Sequence, residues 1–260
     1  MLSEAKNDRP AESSENPMST DLFKHSHGVI PACDVDSIDD LKRLVDQTGQ
    51  IEGIVGYKLG LTGVLRAGLA GAVRAIRQHT DRPILYDHQK AGPDIPDMAG
   101  KFVALCREAG VEALILFPLA GPTAVRSFVG QAMQRGLLPI VGAALPLPDY
   151  LATDGGFVAD DAPERVFGRA AELGVEHFIV PANSAAAVRR YVTQLRALVE
   201  RPSLVMPGIG SLGGTIGEAF AAAGGCPAYA IVGRAIYASP DPAEAARRLA
   251  DEALRFDKGG

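Results

Sequence analysis

The chain has 260 residues, is 47% hydrophobic and carries a net charge of −5. That allows one large core and excludes the basic stripe that nucleic acid or an anionic lipid surface needs. No run of about eighteen apolar residues could span a membrane, and three scattered cysteines (Cys33, Cys106, Cys226) argue for a reducing, cytoplasmic setting rather than a disulfide framework.

Residues 1–22 are rich in Ser, Glu, Asn and Pro and poor in apolar side chains, so a disordered tail is expected. It lacks the apolar core of a signal peptide and the Arg-rich bias of a transit peptide. Met18 is a candidate alternative start, which an intact Met1 in the native protein's mass spectrum would reject. Residues 23–257 read as one domain. Eight short apolar runs follow one another: Val29–Cys33, Ile54–Lys58, Ile84–Asp87, Ala113–Phe117, Leu138–Ala143, His177–Val180, Leu204–Met206 and Ala228–Val232. They do not alternate polar with apolar residues, which predicts strands buried on both faces of a parallel sheet.

Helical periodicity fills the intervals. Met98, Phe102, Leu105 and Ala109 share a face. So do Val188, Tyr191, Val192, Leu195, Leu198 and Val199, and later Ala246, Leu249, Ala250, Ala253 and Leu254. Gly110, Gly136 and Gly174 stand where helices must end before the next strand. A weak internal echo, Glu108-Ala-Gly-Val-Glu-Ala-Leu-Ile-Leu116 against Glu172-Leu-Gly-Val-Glu-His-Phe-Ile-Val180, marks a repeated helix–glycine–strand unit. Eight such units predict an α/β fold, a (β/α)₈ TIM barrel, with an open doubly wound sheet as the alternative.

In such a barrel the chemistry lies where strands end. The first strand ends at Asp34, the second at Lys58, and the third in the charged stretch Tyr86–Asp97. That stretch holds Asp87, His88, Lys90 and Asp94 before Pro96. Two carboxylates and an ammonium in a small space perturb one another's proton affinity, as proton transfer requires; a solvated turn is the plain alternative. The sixth strand ends at Pro181. The seventh opens into Pro207-Gly-Ile-Gly-Ser-Leu-Gly-Gly214, and the eighth ends at Gly233-Arg234.

The glycine run, with Gly210, Gly213 and Gly214, precedes a helix starting near Thr215. Backbone N–H groups there suit a phosphate, and loops seven and eight are the usual phosphate site of this fold. Arg234 in the adjacent loop could grip the same anion with two parallel hydrogen bonds. Lys58, at the end of a buried strand, needs an acidic partner, for which Asp34, Asp87 and Asp94 are candidates. His88 beside Asp87 is a further site candidate. His177, inside a strand, is expected to be packed. No His/Cys spacing suggests a metal, and none is expected.

These residues resemble the orotidine 5′-phosphate decarboxylase family, in particular its compact archaeal-type members, from about Gly28 to Leu254. Val205–Glu218 and Ile231–Tyr237 carry the best-matched motifs. Asp34 and Lys58 match the family's first-strand Asp and second-strand Lys. Asp87, Lys90 and Asp94 match its Asp–Lys–Asp signature. The resemblance implies a cofactor-free decarboxylase acting on a phosphorylated nucleotide. Lys90 would protonate the ring carbanion, Asp87 would lie against the substrate carboxylate, and Lys58 would hold both in register. Asp34 would take a ribose hydroxyl, and Asp94 would reach across a homodimer interface into a shared site. Gly210, Gly214, Gly233 and Arg234 would hold the phosphate.

Three positions depart from the family pattern. The signature here is Asp-x-x-Lys-x-x-x-Asp instead of Asp-x-Lys-x-x-Asp, so keeping Lys90 in register would put His88 where the first Asp belongs. Leu212 stands where a glutamine meets the phosphate, and Ala143-Ala-Leu-Pro146 stands where a serine reads the pyrimidine. Two other functions therefore stay open: a keto-sugar-phosphate decarboxylase or aldolase of the same suite, and a barrel that binds nucleotide without catalysis.

Overall fold

The computed structural model describes residues 22–88 and 95–257. The expected tail to residue 21, and Lys90 and Asp94, lie outside the described residues. Eight parallel strands alternate with helices. In chain order they are β1 (His27–Pro31), α1 (Ile38–Thr48), β2 (Tyr57–Leu59), α2 (Leu61–Ala67), α3 (Leu69–Arg77) and β3 (Ile84–Asp87). Then come α4 (Ala99–Ala109), β4 (Ala113–Leu116), α5 (Pro122–Gln134), β5 (Leu138–Gly142), α6 (Ala162–Ala171) and β6 (His177–Ile179). The last are α7 (Ala185–Leu198), β7 (Ser203–Met206), α8 (Ile216–Ala223), β8 (Ala228–Val232), α9 (Arg234–Tyr237) and α10 (Pro242–Leu254).

The strands run in the order β1-β8-β7-β6-β5-β4-β3-β2. Single bridges from Val29 to Ile54 and from Ala32 to Lys58 join β1 to β2. The Cys33 N–H donates to the Lys58 carbonyl at 2.9 Å there. The ring is thereby closed, as expected from the strand count. The second strand starts later than the apolar run Ile54–Lys58 predicts. Its ladder with β3 begins at Tyr57↔Ile84; the Tyr57 N–H donates to the Pro83 carbonyl at 2.8 Å, and Pro83 has no N–H with which to extend the ladder further back.

Side chains alternate between two shells. Ile30, Leu85, Ile115, Ile140, Ile179, Val205 and Ile231 fill the barrel interior. Val29, Tyr57, Leu114, Val141, Phe178 and Leu204 face the helices. Phe23 closes the barrel floor, its ring 4.3 Å from that of Tyr229, and Leu22, the expected end of the tail, packs on the same inner cluster.

Local signals start and stop the helices. Ser37, Ser184, Thr215 and Asp241 accept backbone N–H bonds from the first turns of α1, α7, α8 and α10. Gly110, Gly136 and Gly174 adopt φ of +88°, +67° and +85°, as expected. Helix α4 differs from its periodicity: the buried stripe is Ala99, Val103 and Cys106. Met98 and Leu105, expected on the core face, are exposed. Two adjacent stripes of α4 are apolar, and the slimmer one lies against the sheet.

His177 lies in the floor, 6.4 Å between ring centroids from Phe23, packed as expected. Burial pulls its pKa down from 6.5 to about 4. The folded chain therefore keeps His177 neutral where the unfolded chain takes up a proton. Its stability should fall as pH drops through the window from 6.5 to about 4, by ~3 kcal/mol in all. Urea titrations at several pH values should show this slope, and His177→Leu should flatten it. An unchanged slope in the variant would refute the assignment.

Candidate active site

The strand register decides which charges meet. Lys58 pairs with Leu85, an inward residue of β3, so Lys58 also points inward, and Asp87 lies two residues further on the same face. The Lys58 Nζ donates to Asp87 Oδ2 at 3.0 Å and to Asp34 Oδ1 at 3.4 Å. Lys58 and Asp87 are 2% and 5% exposed, so this is a buried ion triad, with Asp34 on its wetter side. Burial opposes the ammonium, but Asp87 and Asp34 outweigh it and hold the Lys58 pKa above its ordinary value. A raised value means the ammonium persists through the ordinary lysine range and is lost only at still higher pH. Lys58 is a fixed cation at physiological pH, suited to positioning and charge stabilisation rather than proton donation.

Gly60 makes the triad possible. A Cβ there would lie 2.2 Å from Asp34 Oδ1 and 3.1 Å from Lys58 Nζ. Its φ of −101° suits any residue, so space alone demands glycine. Cys33 lies beside Lys58, but burial raises its thiol pKa to about 12, which makes it inert as a nucleophile.

The triad opens into a cavity of about 610 Å³. Asp34, Lys58, Asp87 and Thr62 line one side. Ile115, Leu145, Pro146, Leu147 and Ile179 form an aliphatic wall. Ser211, Gly233 and Arg234 lie at another rim. The site thus offers a charged end, an apolar wall and a cationic grip within one hollow, a layout that suits a ligand with a phosphate tail and a flat ring.

Loop seven is more committed than its glycines suggest. The Gly210 N–H donates to the Gly214 carbonyl, Gly213 to Gly210, and Gly214 to Gly208, at 2.9, 2.9 and 3.0 Å. The expected bare N–H cradle is therefore altered: these three donors knit the loop. Gly208, Gly210 and Gly213 take φ of +102°, +82° and +92° to make that turn. Arg234 Nη2 donates to Ser211 Oγ at 3.0 Å across the rim.

Of the candidates from sequence, Asp34, Lys58, Asp87, Gly233 and Arg234 line this cavity. Pro181, Gly210, Gly213, Gly214 and His88 are not among its lining residues. The His88 ring lies tilted against that of Phe102, centroids 4.2 Å apart, turned toward the helix shell because it follows the inward Asp87 on the strand. Gly60, Thr62, Ser211 and Tyr237 escaped the sequence reading. A glycine two residues after the strand lysine was the available signal for Gly60; a lone Ser, Thr or Tyr carries none.

Comparison with known proteins places this geometry. The chain matches the model of the orotidine 5′-phosphate decarboxylase / HUMPS family over residues 28–249. It is 27% identical to the orotidine 5′-phosphate decarboxylase of Methanosarcina barkeri, over 86% of this chain and 93% of that one. It is 25% identical to the enzyme of Pyrococcus abyssi, over 86% and 98%. Among solved structures, orotidine 5′-monophosphate decarboxylase from Methanocaldococcus jannaschii complexed with inhibitor BMP superposes with a TM-score of 0.75 at 20% identity, covering 87% of this chain and 98% of that one. The Pyrococcus horikoshii enzyme gives 0.71 at 23% identity, covering 86% and 98%. These superpositions show the barrel fold.

Proposed function

Because the chain belongs to the orotidine 5′-phosphate decarboxylase / HUMPS family, we propose that it converts orotidine 5′-phosphate to uridine 5′-phosphate, a step of pyrimidine biosynthesis. The observation that carries this reading is the buried Lys58 held between Asp34 and Asp87 at the mouth of a cavity whose rim carries Arg234.

In this reading the bond between the ring carbon and the carboxylate breaks heterolytically, carbon dioxide leaves, and a proton replaces it. Asp87 lies against the departing carboxylate, where charge repulsion opposes the ground state. Lys58 fixes Asp87 and supplies positive charge near the developing carbanion. Lys90 is the proton donor. Asp34 takes a ribose hydroxyl. Arg234 binds the phosphate, and that remote binding energy is drawn on in the transition state. No cofactor is required.

Purified protein should remove the near-ultraviolet absorbance of orotidine 5′-phosphate. No turnover above the buffer rate would reject the reading, and turnover surviving Lys90→Ala would reject the proton donor. A second reading, a keto-sugar-phosphate substrate, rests on the aliphatic wall of Leu145, Pro146 and Leu147, which offers no side chain to read a pyrimidine edge. Turnover of the nucleotide at full rate in chelator would count against it.

The shared-site homodimer is part of the same proposal. Leu65, Ile95, Met98 and Leu105 are exposed, in the segments that follow β2 and β3, an apolar surface that a second copy would cover. Sedimentation equilibrium giving only monomer at micromolar concentration would exclude it.

A further inference from the structure

The anion grip has a polar member that no sequence motif announces. Three glycine N–H groups of loop seven donate inside the loop, so they are spent before any ligand arrives. Of the loop-seven side chains lining the cavity, Pro207, Ile209 and Leu212 are apolar and Ser211 is polar. Its hydroxyl accepts from Arg234 Nη2 at 3.0 Å. Arg43, Arg77, Arg165, Arg169 and Arg247 each pair with a carboxylate. Arg234 is held by a hydroxyl instead, which orients the guanidinium without neutralising it.

A serine hydroxyl accepts twice and donates once. With Arg234 as donor to Ser211, the hydroxyl hydrogen remains to point at an anion. We infer that Ser211 is a phosphate-binding residue. It accepts from Arg234, donates its own hydrogen to a substrate phosphate oxygen, and so joins loops seven and eight into one grip. Arg234 is an exposed, rotamer-rich side chain, and holding it in place before the ligand binds lowers the ordering cost of binding. The inference rests on the reading that the cavity takes a phosphorylated nucleotide.

The test is calorimetry on the full chain with uridine 5′-phosphate, ribose 5-phosphate and uridine. Ser211→Ala should weaken both phosphorylated ligands about tenfold, the loss expected for one hydrogen bond to a charged group. It should leave uridine unchanged, and Ser211→Thr, which keeps the hydroxyl, should restore most of the affinity. In an Arg234→Ala background the added effect of Ser211→Ala should shrink to less than about twofold, because the two act as a unit. Unchanged binding of the phosphorylated ligands by Ser211→Ala, or an equal loss for uridine, would overturn the inference. If the pattern holds while the wild-type protein turns over no orotidine 5′-phosphate, the decarboxylase reading falls and the grip stands. If the protein is active but the pattern is absent, the grip alone falls.

Discussion

Lys58→Met should lower kcat/KM at least about a thousandfold, because the variant keeps the length of the side chain and removes only its charge. In the folded chain that ammonium separates Asp34 and Asp87, at 3.4 and 3.0 Å. Without it, the contacts that Asp34 and Asp87 make with the buried ammonium are lost at the end of an apolar barrel. Removing one partner of a buried ion pair costs on the order of 3 kcal/mol, so the variant should also melt earlier. The two effects are separable. Lys58→Arg preserves the charge, so it should recover much of the stability, but its planar fork cannot meet both carboxylates as a compact ammonium does, so it should recover little activity. Steady-state rates and urea midpoints on the three proteins check this. A Lys58→Met enzyme within tenfold of wild type would remove Lys58 from the chemistry.

Gly60→Ala should lower kcat about a hundredfold, the cost of displacing catalytic groups by roughly an ångström. The added methyl would sit 2.2 Å from Asp34 Oδ1, so Asp34 must swing away and the Lys58 contact on that side must open. Backbone strain plays no part, since φ is −101°. The melting temperature should therefore fall much less than the activity does. A Gly60→Ala protein with wild-type kcat would show that the Asp34–Lys58 contact is dispensable. One that fails to fold would show that the crowding cannot be relieved by moving Asp34.

Both predictions concern charges brought together from distant parts of the chain, and this is where the sequence was only partly legible. The strand ends holding Asp34, Lys58 and Asp87 could be read from apolar runs that stop abruptly. Their convergence followed once eight strands implied a barrel. Gly60 carried only a faint signal, its place two residues after the strand lysine, because its role is an absence of volume, which has meaning only beside Asp34. Ser211 was invisible because a single hydroxyl in a glycine-rich loop could equally cap a turn. In sequence, loop seven reads as a cradle of N–H groups because glycine permits that geometry. Which carbonyl each N–H would find depends on the closed path of the loop, and there the turn claims Gly210, Gly213 and Gly214. The α4 face was misplaced for a related reason. Periodicity marks a helix as apolar on one side, but with two adjacent apolar stripes the packing partner selects between them.

Sequence alone determined the number of strands, their burial on both faces, the stops between them, and hence the barrel with its chemistry at one rim. Those properties are local: runs of apolar residues, caps and glycines report them within a few positions. Tertiary structure alone decided which side chains on that rim share a cavity, that His88 turns toward Phe102 while Asp87 turns inward, and that Arg234 rests on Ser211. A one-residue step along a strand reverses a side chain's direction, and strand register is fixed by pairing with the neighbouring strand, not by the residue itself.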